Sequence, residues 1–105
     1  MKYQPIQANE FTSFVRTLQG QEIPTTSRKR IFTIDVVRDD MNFTPMSSGK
    51  VRPHPHKYVE KVLNSFNETQ SFTQTAYRDD GIVNAAYMLT LISMYIEADK
   101  RVLHE

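Results

Sequence analysis

The chain has 105 residues, 39% hydrophobic and 24% charged, with no cysteine and a formal net charge of +1. That size fits a single domain spanning 1–105 around one core, and the balance excludes collagenous, low-complexity and highly charged disordered classes. Without cysteine there are no disulfides, thiolate nucleophiles or Cys-ligated zinc, so only His, Asp and Glu remain as metal ligands, and a cytoplasmic setting is expected.

The opening MKYQPIQANEF lacks the apolar run of a targeting segment. In residues 8–20, Phe11, Phe14, Val15 and Leu18 recur at the i, i+3, i+4, i+7 spacing of one helix face, with Asn9 as N-cap and Gly20 past the end. This predicts a helix over about 10–19. Residues 21–27 suit a partner strand that Pro24 restricts to a sheet edge. Phe32, Ile34 and Val36 alternate with Thr33, Asp35 and Val37, which predicts a strand with one inward face.

Residues 39–54, DDMNFTPMSSGKVRPH, are rich in turn formers and are expected to be the longest irregular stretch, with Gly49 allowing a hairpin and a brief strand near 50–52. Val59, Val62, Leu63 and Phe66 then mark a helix over about 55–67, with Pro55 in its first position and His54 as N-cap. Residues 69–77 alternate weakly, and Thr73, Thr75 and Tyr77 suit one face of a strand. A long helix over about 81–103 closes the chain. Its longest uncharged run, GIVNAAYMLTLISMYI, falls short of the roughly 20 apolar residues of a membrane span.

FTIDVVRDD at 32–40 and FTQTAYRDD at 72–80 share five of nine positions. A structural repeat carries its pattern beyond the matched window. This one does not, since the six positions on either side disagree at the same offset. Asp39 and Asp40 are expected in a turn, bonding to backbone N–H groups, and Asp79 and Asp80 as caps of the last helix. The competing arrangement gathers Asp35, Asp39, Asp79 and Asp80 around a divalent metal. Adjacent carboxylates on a strand point to opposite faces, so each pair offers at most one inward ligand, and no metal site is assigned.

The cations are unevenly spread. Residues 1–52 hold eight Lys or Arg against five acidic residues, a balance of +3, and residues 53–105 hold five against seven, a balance of −2. Arg28, Lys29 and Arg30 form one cluster. Lys50, Arg52, His54, His56 and Lys57 form another around the start of the second helix, where the dipole disfavours positive charge. A bound anion offsets that penalty, and Tyr58 offers a stacking surface. A solvated loop, with Pro53 and Pro55 holding an extended entry, explains the same residues without a ligand. A His-x-His metal pair at His54 and His56 lacks a third ligand. No Gly-x-Ser-x-Gly, Walker loop or His-Glu-x-x-His occurs, so no catalytic residue is assigned.

The last helix carries two apolar stripes. Ile82, Ala85, Leu89, Ile92 and Ile96 form one, and Val83, Tyr87, Leu91, Met94, Ala98 and Val102 lie roughly opposite. Such a helix is either the central element of its own domain or packs one stripe on a twin chain. The fold expected is α+β, a small antiparallel sheet of two or three strands with three helices, the C-terminal one longest. The function expected first is a non-catalytic interaction or accessory protein, acting without a cofactor as a homo-oligomer through Ile82, Ala85, Leu89, Ile92 and Ile96. A nucleic-acid or phosphate-ligand binder using the 28–30 and 50–57 segments is the alternative, and a metal-dependent hydrolase ranks third. No membrane partner is expected.

Overall fold

The computed structural model describes residues 3–74, 77 and 84–103, the last five by their backbone alone. The elements run α1 (Ala8–Arg16), β1 (Ile23–Pro24), β2 (Ile31–Val37), β3 (Asp40–Pro45), β4 (Arg52–His54), α2 (His56–Thr69) and α3 (Ala85–Leu103). The four strands form one antiparallel sheet in the order β1-β2-β3-β4, so the architecture is α+β with four strands in place of the two or three expected.

The added strand is β3. Its sequence DMNFTP holds turn-forming residues, yet Met41, Phe43 and Pro45 alternate inward while Asp40, Asn42 and Thr44 face outward. Period-two burial overrides weak β propensity here, because β3 lies inside the sheet and pairs with β2 along its whole length, Phe32↔Pro45 through Val37↔Asp40. The two residues between these strands are Arg38 and Asp39, and Arg38 takes a left-handed φ of 61°. β4 follows after a turn at Gly49, where φ is 67°. A β-carbon there would meet nothing, so glycine serves the backbone angle alone.

One face of the sheet is covered. Ile34, Val36, Met41 and Phe43 point inward, as does His54 on β4, and α1 packs on β2 and α3 while α2 packs on β3 and α3. Thr33↔Thr44 and Asp35↔Asn42 are cross-strand pairs of the opposite, open face, and their polar character suits it to water. The edge of β2 beyond the short β1 is closed by a side chain: Val36 N–H donates to Gln19 Oε1 at 2.7 Å.

The helix termini differ from expectation in instructive ways. α1 begins after Gln7 and gives way to hydrogen-bonded turns before Gly20, at φ 83°. α2 begins after Pro55, which has no side-chain oxygen to cap with, and the first free N–H, that of His56, donates to Asp40 Oδ1 at 2.8 Å across the sheet. α2 runs on to Thr69 and stops at Gln70, which is left-handed at φ 54°. No described residue of the strand expected over 69–77 joins the sheet. Thr75 lies outside the described residues.

α3 is the central helix. Met88, Leu91 and Ile92 are fully buried and Leu89 nearly so, each side chain of this size contributing about 1.5–3 kcal/mol by leaving water. The helix starts at Ala85, with Asn84 before it at φ 62° and the Asn84 carbonyl accepting from Met88 N–H at 3.2 Å. A left-handed residue cannot continue an α-helix, so the rod expected from residue 81 has no helical turn through Asn84. Residues 78–83, with Asp79, Asp80, Ile82 and Val83, lie outside the described residues.

The segment before α1 is fastened by two amides acting as strand partners. Asn67 accepts from Ile6 N–H at 2.8 Å and donates to Ile6 O at 3.0 Å. Gln70 does the same for Tyr3, at 3.0 and 2.8 Å.

Candidate anion-binding site

Three of the eight basic residues singled out in the sequence come together. Arg28, Arg30 and Arg52 line one concavity of about 420 Å³, with Thr25, Ser27, Gln74 and the first turn of α3, Asn84 to Tyr87, completing its walls. Arg52 is 22 and 24 residues from Arg30 and Arg28 in the chain, and the sheet brings this one member of the second cluster to two members of the first.

Each wall has a local cause. Arg28 and Arg30 sit on the hairpin joining β1 to β2. Thr25 N–H donates to Arg30 O at 2.9 Å, Lys29 N–H to Thr25 O at 2.9 Å and Arg30 N–H to Thr25 Oγ at 3.1 Å, while Lys29 takes the left-handed φ of 57°. A four-residue connection of this kind closes with a left-handed residue at its end. Thr26 N–H donates to Thr90 Oγ at 3.0 Å, and the same hydroxyl donates to Ala86 O at 2.9 Å. The loop is therefore bolted to α3 through one buried threonine. Arg52 arrives from the opposite direction: it pairs with Phe43 in the β3–β4 register, which puts it on the covered face at the sheet's outer edge.

Tyr87 forms the apolar wall. Its ring stacks on Phe43 at 5.2 Å and leans on Phe32 at 4.8 Å. Gln74 Nε2 donates to Ser27 Oγ at 3.0 Å and closes the remaining side. The arginines themselves are exposed, and among the described residues no carboxylate pairs with any of the three; the ion pairs are Arg16–Asp39 and His56–Glu60. Three arginines beside the N-terminal turn of α3 make this cavity complementary to an anion.

The other five candidates go elsewhere. Lys29 turns the hairpin and Lys50 follows the turn, its N–H donating to Ser48 Oγ at 3.2 Å; neither lines the cavity. Lys57 Nζ lies 5.1 Å over the Tyr58 ring. His56 is 3.6 Å from Glu60, and its Nδ1 is 3.1 Å from Asp39 O. His54 is buried at 1% exposure beside Phe43 and Tyr58, with no hydrogen-bond partner for either nitrogen among the described residues. Burial lowers its pKa from 6.5 to about 4, because the charged ring has lost water and gained nothing. His54 and His56 thus lie in different surroundings, and the stacking surface expected of Tyr58 is away from the arginines.

The carboxylates have structural partners. Asp39 binds Arg16 at 3.1 Å, Asp40 caps α2, and Asp35 stands exposed on the open sheet face opposite Asn42. Among the described residues no group of three His, Asp or Glu is placed to hold a metal.

Of the stripe expected to meet a second chain, four residues are described, and Ile82 lies outside the described residues. Ala85, Leu89, Ile92 and Ile96 are each at most 9% exposed in the isolated chain and belong to its core, as does Leu91 of the opposite stripe. On the opposite stripe Tyr87 and Met94 are partly buried and pack against the same core. Among the described residues no helix is long and apolar enough to cross a membrane.

No protein-family model, curated protein or solved structure matches this chain. The cavity's chemistry is therefore the ground for a functional assignment. Sequence reasoning missed Thr25, Ser27, Gln74, Asn84 and Tyr87, all short-range anonymous residue types whose only signal was proximity to Arg28 or to the start of the last helix.

Proposed function

We propose that this chain is a binding protein for a phosphate-bearing ligand, held by Arg28, Arg30 and Arg52 at the first turn of α3. The observation that carries this is that three arginines, from two distant segments, line one concavity without a carboxylate partner among the described residues. Clustered cations repel one another, and an anion relieves that repulsion while accepting paired N–H bonds from each fork.

The test is titration calorimetry with inorganic phosphate and with a short oligonucleotide at low and high salt. Binding should weaken steeply as salt rises, and Arg52→Ala should lower the affinity about tenfold or more, the worth of one charge-assisted pair. Salt-independent or Arg52-independent binding refutes the assignment. The homo-oligomeric accessory role is the weaker reading, because Ala85, Leu89, Ile92 and Ile96 of the stripe that motivated it are buried within the single chain. A light-scattering mass that doubles with concentration would restore it.

A further inference from the structure

Resting on that reading, we infer that the ligand is a small phosphomonoester carrying a planar ring, of mononucleotide size, and that the cavity does not track a nucleic-acid strand. A concavity of about 420 Å³ lies within the range of roughly 300–1,000 Å³ typical of small-molecule sites. It is also two-sided in character. The arginines supply its polar lining, and Ala85, Ala86 and Tyr87 are its apolar and aromatic lining. Tyr87 is fixed from behind by Phe43 and Phe32, and its hydroxyl makes no hydrogen bond among the described residues. An anion alone needs no such wall. A phosphate joined to a flat body uses both halves at once, the forks on its oxygens and the wall against its ring.

A strand makes a different demand. It needs cations and stacking rings spaced along a groove. Here Lys57 and the exposed ring of Tyr58 pair with each other, His56 pairs with Glu60, and His54 is internal. The cations outside the cavity thus do not extend it into a track. The hydrogen bonds that fix the Thr25–Arg30 loop to itself and to Thr90 make the site preformed, which keeps the ordering cost of a small ligand low.

The experiment is calorimetry on the full chain with inorganic phosphate, ribose 5-phosphate, adenosine monophosphate and a twelve-nucleotide thymidine strand. Adenosine monophosphate should bind one to one, about tenfold or more tighter than inorganic phosphate, with ribose 5-phosphate between them, since one stacked ring is worth about 1–3 kcal/mol. Arg28→Ala should weaken all of them. Ala86→Leu, which fills the wall and leaves the arginines in place, should reduce adenosine monophosphate to the affinity of phosphate, and Tyr87→Leu should do the same where circular dichroism shows it folded. The twelve-nucleotide strand binding tighter than adenosine monophosphate, or adenosine monophosphate no tighter than phosphate, overturns the inference and leaves the anion site standing. If phosphate binding ignores Arg28, Arg30 and Arg52, the anion site itself falls.

Discussion

Acid should destabilise this protein through His54, by an amount its surroundings set. The side chain is 1% exposed, neither nitrogen has a partner among the described residues, and the rings beside it are Phe43 and Tyr58. Burial holds the pKa at about 4 against the ordinary 6.5. Unfolding returns the ring to the ordinary value, so between those two values the unfolded chain binds the extra proton. The neutral ring's contribution is intact above about pH 6.5 and is lost as pH falls toward about 4. The full gap corresponds to about 3 kcal/mol, of which about 1.4 is gone near pH 5.5 and about 2.5 near pH 4.5. Urea denaturation of the parent and of His54→Leu across this range isolates the effect, since every other titrating group is common to both. Near pH 8 the variant should match or exceed the parent, two unsatisfied nitrogens having been removed, and the gap should widen in its favour by the stated amounts on acidification. Stability curves that stay parallel down to about pH 4.5 would refute the reasoning.

Asn67→Ala should cost about 1–3 kcal/mol in urea denaturation, because it strands both backbone groups of Ile6, and Asn67→Asp should cost less, since it keeps the acceptor. Asp40→Ala should cost about 1 kcal/mol by leaving the first N–H of α2 without its side-chain partner, with Asp40→Asn recovering most of it. Thr90→Val keeps the shape of the core and removes the hydroxyl that holds Thr26, so stability should drop by about 1–2 kcal/mol and phosphate affinity should fall although every arginine remains. Unchanged phosphate affinity in that variant would show that the loop holds its place without α3.

The parts of the fold legible in the sequence were those whose burial shows as a period. α1, β2 and α2 each place their apolar residues on the inward face that spacing predicted. β3 was hidden because Asp40, Asn42, Thr44 and Pro45 are turn formers by composition, and only its two-sided pairing makes it a strand. Residues 69–74 misled in the opposite direction: alternation without apolar weight produced an expected strand where α2 and its left-handed cap at Gln70 lie. Of the carboxylates at 39 and 40, Asp40 does bond a backbone N–H, but one on a helix sixteen residues on, while Asp39 binds the Arg16 side chain instead. Local sequence says that an Asp seeks a donor and cannot say whose.

The same limit applies to the site, and it explains why three arginines were recovered and their setting was not. Arg52 faces the cavity because it pairs with Phe43, a register fixed by Met41 and His54 two residues along, which must both turn inward to be buried. Shifting β4 by one residue would send Arg52 to the open face and expose His54. Arg28 and Arg30 face it because Thr90, on the most buried helix, accepts from their loop. The core thus sets the positions of charged groups that contribute nothing to the core, and it does so through a histidine and a threonine that a purely apolar packing scheme would replace. Retaining two polar side chains inside, one of them unsatisfied, is intelligible if the strand and loop they position must keep Arg28, Arg30 and Arg52 around one cavity.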